Sequence, residues 1–386
     1  MKTSTFQMKG FLYSYHSIGI LMTSYLPLFF FHQGLTNAQI GLMLSIGPIA
    51  ALLAEPLSGY ISDRLKTNKK VIIASLLGLL IFSQVLFQMN TFLLFTMIYF
   101  IMTFFMSPIG ALSDSLAQKT ANQHSVTFGS IRLWGSLGFA VTALIAGQWF
   151  TTFGIEQLKW VLLLFAGIAV LLSFLLSDVK VTDKDASNGD FLELVKNHQF
   201  LYFLLVVIFV TIAHRSNDSF ISLYFKELGA NESIVGWAWF IGVGAEVLMF
   251  ALSPLWFGKL HELTLIAIAA GLYVVRFFLM GFIQDPMLLL FVQPTHGIAF
   301  AMFYQSAFQY VTRIVKPEVQ STGHVLLVTV FFGISGIIGG VLGGNIMENF
   351  SGSHLYYLLS ISSFIGLIGV FAYKRAFRGA QNYLNA

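Results

Sequence analysis

A handful of ionisable residues stand inside long apolar runs, and they are where this chain could do chemistry. Asp114 lies in SPIGALSDSLAQK and Arg132 in FGSIRLWGSLGF; Glu55 precedes a proline; His214, Arg215 and Asp218 share IAHRSNDSF. Glu246 sits in GVGAEVLMF, Arg276 in YVVRFFLMG and His296 in PTHGIAF. A charge at mid-bilayer costs about 2.5–3.5 kcal/mol or more, so it faces a partner or water. An arginine and a carboxylate at one depth can neutralise each other, or grip a ligand by forked hydrogen bonds. Asp218 follows His214 by four residues and Arg215 by three, so one helix face lets it meet either. Carboxylates poised between burial and a nearby arginine can bind and release a proton.

These residues need elements to carry them, and the totals say which. The chain has 386 residues, 56% hydrophobic and 10% charged, with a mean hydropathy of +0.78. A soluble domain carries roughly 25% charged residues, so the class is an all-α integral membrane protein. A pI near 9.1 would suit a nucleic-acid binder, but the basic residues are sorted by membrane side and no nucleic acid is expected. With no cysteine there are no disulfides and no thiolate metal sites. The first apolar run continues too long for a signal peptide and reads as a retained helix.

A membrane span needs about 20 mostly apolar residues. Such runs lie near 9–32, 38–62, 70–89, 92–118, 126–151, 158–177, 198–225, 233–257, 262–282, 286–312, 319–347 and 354–375. The polar stretch 178–197 divides them into two six-helix bundles, 1–177 and 198–386. Of the 21 lysines and arginines, only Lys159 and Lys226 fall in outer loops, and only Arg132, Arg215 and Arg276 within spans. The positive-inside rule then puts both termini in the cytoplasm. The halves echo each other at an offset of 198: Pro56 with Pro254, Gly135 with Gly333, Gly138 with Gly336. Glycine runs such as 333–344 read as helix-packing surfaces. Asp114 and Arg132 both fall roughly 8–10 Å in from the turn joining spans 4 and 5, by the rise of an α-helix. Phe139 lies two turns beyond Arg132, an aromatic plane for a sugar or a base.

The loop GYISDRLKTNKK, with Gly59, Asp63 and Arg64 followed by basic residues, resembles the signature of the major facilitator superfamily. Lys66 stands where that signature usually has a second glycine. The resemblance implies twelve helices in two six-helix pseudo-repeats, working as a monomer. The segment SDSLAQKTANQHSVTFGSIRLWGSLGF is similar to the lactose permease group, which includes nucleoside symporters and phenylpropionate permeases. In that group a span-4 acid and a span-5 arginine hold the solute, and an aromatic ring two turns on stacks against it. Carried over, those roles fall on Asp114, Arg132 and Phe139, with aspartate and phenylalanine replacing the group's glutamate and tryptophan. The group's span-7 acid, span-9 arginine and span-10 histidine match Asp218, Arg276 and His296, and Glu246 lies about one turn from its span-8 acid. Ala299 and Gly333 replace the group's proton-carrying glutamate and span-11 lysine, which leaves Glu246 first and Asp218 second as proton carrier.

The expected function is proton-coupled symport of a small polar organic solute by alternating access. Sugars come first, then nucleosides and aromatic carboxylates. The protein sits in the cytoplasmic membrane, and no metal or cofactor is called for. Glu55 reads as a gating or structural residue beside the Gly59–Asp63–Arg64 motif, and His16 and His324 as polar wall positions. The alternative is proton-driven efflux of drugs or metabolites, marked by acceptance of many lipophilic cations. No HExxH, nucleotide-binding loop or sizeable soluble domain is present, which argues against an enzyme or a receptor.

Overall fold

The computed structural model describes residues 2–177, 194, 196–316 and 319–377; the expected central loop 178–197 lies almost wholly outside them. Every regular element among the described residues is helical. Helix α1 runs as Lys2–Ile20, a π-turn Leu21–Tyr25 and Leu26–His32. Then follow α2 Asn37–Leu65, α3 Asn68–Leu86, α4 Phe92–His124, α5 Phe128–Phe153 and α6 Ile155–Leu175. The rest are α7 His198–Glu227, α8 Glu232–Ala251, α9 Glu262–Phe282, α10 Pro286–Ile314, α11 Thr322–Asn349 and α12 Gly352–Ala376. Eleven of these are long and apolar enough to cross a membrane, and α1 completes the twelve expected spans.

Local chemistry sets the boundaries. Thr36, Thr67, Thr91, Thr127 and Ser351 each accept a hydrogen bond from the backbone N–H three residues on, capping α2, α3, α4, α5 and α12. A cap of this kind contributes about 0.5–2 kcal/mol. At the other end, α2 and α4 stop at Lys66 (φ 53°) and Ser125 (φ 54°), both in the left-handed region. Lys66 therefore occupies a backbone conformation that glycine adopts without strain, which explains why a glycine is usual there. Three boundaries differ most from expectation. Helix α1 begins at Lys2 instead of near 9. Helix α4 continues to His124 instead of stopping near 118, because its polar last turns stay helical until Ser125 turns the chain. Helix α8 ends at Ala251, and Pro254 begins a separate turn, Ser253–Trp256. Its repeat mate Pro56 stays inside α2.

By contacts the chain forms two compact units: Met1–Lys184 with Ile221–Phe240, and Asp185–Phe220 with Ile241–Ala386. In the first, α1 crosses α5 where a Cβ on Gly138 would run into the Tyr13 carbonyl. Ser17 Oγ donates to the Gly138 carbonyl at 3.2 Å there and accepts from Thr142 Oγ1 at 2.8 Å. The last residues of α7 and the first of α8, Ile221–Phe240, belong to this unit. Tyr25 donates to the Ala143 carbonyl at 2.6 Å, Ser24 Oγ lies 2.5 Å from Ser222 Oγ, and Ser233 Oγ donates to Gln148 at 3.0 Å. In the second unit α8 crosses α10 at Gly297, where any side chain would collide with the Glu246 backbone. Helix α11 meets α7 at Gly339, whose carbonyl accepts from Ser216 Oγ at 3.1 Å. The glycine run thus serves as the packing surface expected of it, since small residues let membrane helices approach closely.

Candidate functional site

The first unit brings Asp114 of α4 level with Arg132 of α5, as counting residues from the turn suggests. Arg132 Nε lies 3.2 Å from Asp114 Oδ1, with 34% and 43% of the two side chains exposed. The pair is an ion pair without good hydrogen-bond alignment: Oδ1 receives no hydrogen bond from any described residue. An exposed, loosely held pair inside an apolar span can exchange its contacts for those of a polar solute.

Helix α1 supplies His16, read from the sequence as a polar wall position and not as a neighbour of Arg132. A Cβ on Gly135 would lie 2.8 Å from both Arg132 Nη1 and His16 Nε2. Glycine at this position is therefore what lets the guanidinium and the imidazole sit side by side over α5. Tyr15 and His16 are ring neighbours, with centroids 5.2 Å apart, and the Tyr15 hydroxyl reaches the α4 backbone at Gly110. His16 stands 198 residues before His214, the repeat offset itself, and that coincidence is the signal that could have marked it. Phe139 lies beside Gly19 of α1 and meets Trp239 of α8 edge-on, centroids 5.5 Å apart. Trp239 was not singled out by spacing. Near the end of α2, Glu55, Asp63 and Arg64 are exposed. No ion pair joins them to another described residue.

In the second unit the charges are buried and multiply held. Asp218 Oδ2 lies 2.9 Å from Arg215 Nη1 and 3.3 Å from His214 Nε2, so it meets both of its helix-face neighbours. Asn217 Nδ2 donates to Asp218 Oδ1 at 3.3 Å. His214 Nδ1 shares a hydrogen bond with the Tyr273 hydroxyl at 2.9 Å, and its ring stacks on His296 at 5.2 Å. Arg276 is completely buried, yet its hydrogen bonds go to neutral acceptors. These are the Val292 carbonyl at 3.1 Å, Gln293 Oε1 at 3.0 Å and Asn217 Oδ1 at 3.4 Å. Asn217, which also accepts from Tyr356 at 3.2 Å, links Arg276 to Asp218. Glu246 is half-buried on α8, with its backbone fixed by the Gly297 crossing.

The ligand atoms of His214, Asp218 and His296 lie within 4.8 Å of one another, compact enough for a metal ion. A cation there would have to displace Arg215 from the same carboxylate oxygen, against the charge of its guanidinium.

The model of the MFS_1 like family matches residues 5–358 of this chain. The maltose permease of Geobacillus stearothermophilus is 25% identical, over 86% of this chain and 85% of its own. A probable 3-phenylpropionic acid transporter of Escherichia coli (strain K12) is 30% identical, over 78% and 83%. The crystal structure of the nucleoside transporter NupG superposes with a TM-score of 0.79 at 18% identity, covering 97% of this chain and 99% of that one, a likeness of fold.

Proposed function

The chain belongs to the MFS_1 like family of major facilitator transporters, and from that premise we propose that it imports a small polar organic solute together with protons. The observation that carries this reading is the Asp114–Arg132 pair, 3.2 Å apart and partly exposed within the spans. Asp114 and Arg132 bind the polar end of the solute, and Phe139 supplies a plane for its body. Glu246 carries the proton, and Asp218, Arg276 and His296 set the field in which it does so. Solute and proton drive a cycle only by favouring different conformations.

The halves 1–177 and 198–386 are a six-plus-six repeat in this reading. The hydrogen bond between Ser24 and Ser222, again 198 residues apart, supports it. Both termini face the cytoplasm, and Glu55, Gly59, Asp63 and Arg64 work at the inner gate.

The test uses the full chain in liposomes loaded with a pH-sensitive dye, challenged in turn with sugars, nucleosides and aromatic acids. Expected is a pH change for one solute class that Arg132→Ala abolishes. Glu246→Gln is expected to exchange labelled solute across the membrane while moving no protons. Wild-type solute uptake with no proton movement removes the role given to Glu246. An Arg132→Ala variant that transports normally reduces the pair to a structural tie.

A further inference from the structure

The second unit carries a feature that neither ion binding nor helix packing explains. Along α10, His296, Phe300, Tyr304 and Phe308 recur every fourth residue, so they climb one helix face. Their rings form a continuous series. His214 stacks on His296 at 5.2 Å and on Phe300 at 4.9 Å, in both cases with planes 11° apart. Phe300 stacks on Tyr304 at 5.4 Å, Tyr304 meets Phe308 at 5.6 Å, and Phe308 stacks on His324 at 4.1 Å. Phe331 and Phe332 of α11 flank Tyr304 at 5.6 and 6.1 Å.

Aromatic residues at helical spacing ordinarily make a core. Here the fully buried positions Ala299, Phe303, Ala307 and Tyr310 lie on the adjoining face of α10, where Phe303 packs on Tyr273 of α9 and on Phe331. Phe300, Tyr304 and Phe308 remain partly exposed. Contact with lipid does not account for them either. Arg215 sits over the Phe332 ring at 5.3 Å, and His324, hydrogen-bonded to Thr312 at 2.9 Å, closes the series at its far end. Charged and polar groups within a span face the protein interior or water. The rings therefore line a wetted face that runs from the buried His214–Asp218 cluster toward the Arg313 end of α10.

We infer that this ladder is a stacking track for the solute on its way to the cytoplasm, and that the transported solute carries a planar, unsaturated ring. A ring of that kind can pass from one plane to the next because stacking tolerates sliding, and the parts of Phe300, Tyr304 and Phe308 that their neighbours leave exposed offer it successive stations. The inference rests on the transport reading above and narrows its substrate class, setting aromatic acids and nucleosides ahead of sugars.

The experiment measures uptake of labelled 3-phenylpropionate, uridine and maltose by the full chain in proteoliposomes. Competition is then measured with 3-cyclohexylpropionate and 5,6-dihydrouridine, which keep the size and polar groups but lose the flat ring. Expected is uptake of one planar solute, with its saturated counterpart competing about tenfold less well, the scale of one good stacking contact. Tyr304→Leu is expected to shrink that ratio to about threefold or less, while Tyr304→Phe, which keeps the ring, preserves it. A lost ratio in a folded leucine variant is something a merely structural role would not produce. Phe308→Leu serves the same purpose if Tyr304→Leu does not assemble. Equal competition by the saturated analogue, or a ratio unmoved in the leucine variants, overturns the track. Uptake of maltose without competition from planar solutes overturns it and leaves the transporter reading intact. Uptake of none of the three overturns both.

Discussion

The two units hold similar residues in opposite ways. In the first, Asp114 and Arg132 make a single contact at 3.2 Å and keep about a third or more of their side chains exposed. In the second, Asp218 is gripped by Arg215, His214 and Asn217, and Arg276 is completely enclosed by neutral acceptors. The same ingredients (an arginine, an aspartate and a histidine) are held by one contact in the first place and by several in the other, although Arg215 Nε and Arg276 Nε have no hydrogen-bond partner among the described residues. An unfinished ion pair has capacity for a ligand. A densely bonded network resists rearrangement, which is why the proposed reading gives it protons and not the solute. The contrast teaches that exposure and the number of existing partners distinguish the two clusters better than residue type does, and the proposed division into solute site and proton-handling frame rests on it.

The comparison is broken most forcefully at Arg276. Arg276→Ala leaves Gln293 Oε1 buried without its donor, while Asn217 keeps Tyr356 and the Val292 carbonyl keeps Thr295; it is expected to lower stability by about 1–3 kcal/mol, read as a drop in unfolding temperature in detergent. A near-silent Arg276→Ala would mean that the second network is not the rigid frame described here. Arg132→Ala should do the reverse, costing stability no more than about 1 kcal/mol, as for exposed pairs. Its effect falls on solute affinity, which should weaken by about 10- to 100-fold, the range for lost hydrogen bonds to a charged group. Gly135→Ala sharpens the comparison without removing any charge. The new methyl displaces the Arg132 and His16 side chains and is expected to raise KM about tenfold at unchanged proton stoichiometry. Lys66→Gly lies in neither cluster and should have the smallest effect. It relieves a left-handed residue at φ 53° and is expected to raise stability by about 0.5–1 kcal/mol, measured by thermal unfolding.

Much of this was legible in the sequence for identifiable reasons. Twelve apolar runs could be counted because a bilayer demands them, and Asp114 and Arg132 could be matched because depth along two antiparallel helices follows from residue counts. Asp218 was readable because its partners are on its own helix. What escaped was everything that depends on which face of one helix meets another. His16 and Trp239 reach the first site from α1 and α8, and no local spacing reports that. The neutral company of Arg276 was equally hidden, since Asn217, Gln293 and the Val292 carbonyl come from two other parts of the chain. The end of α4 was missed by several residues because polar turns can remain helical until a residue such as Ser125 turns the backbone.

The π-turn at Thr329–Ile334 has a genetic reading. An i→i+5 turn holds one residue more than the α-turn it replaces, the mark that insertion of a single codon leaves in a helix. The wider turn lets the consecutive rings Phe331 and Phe332 both reach Tyr304, although neighbours on an α-helix point about 100° apart. Deleting one residue of this turn would turn it back into an ordinary α-turn and leave Gly339 facing Ser216, but would take Phe331 or Phe332 away from Tyr304. Loss of one codon should therefore be more forgivable here than elsewhere in α11, where it would rotate all that follows by about 100°.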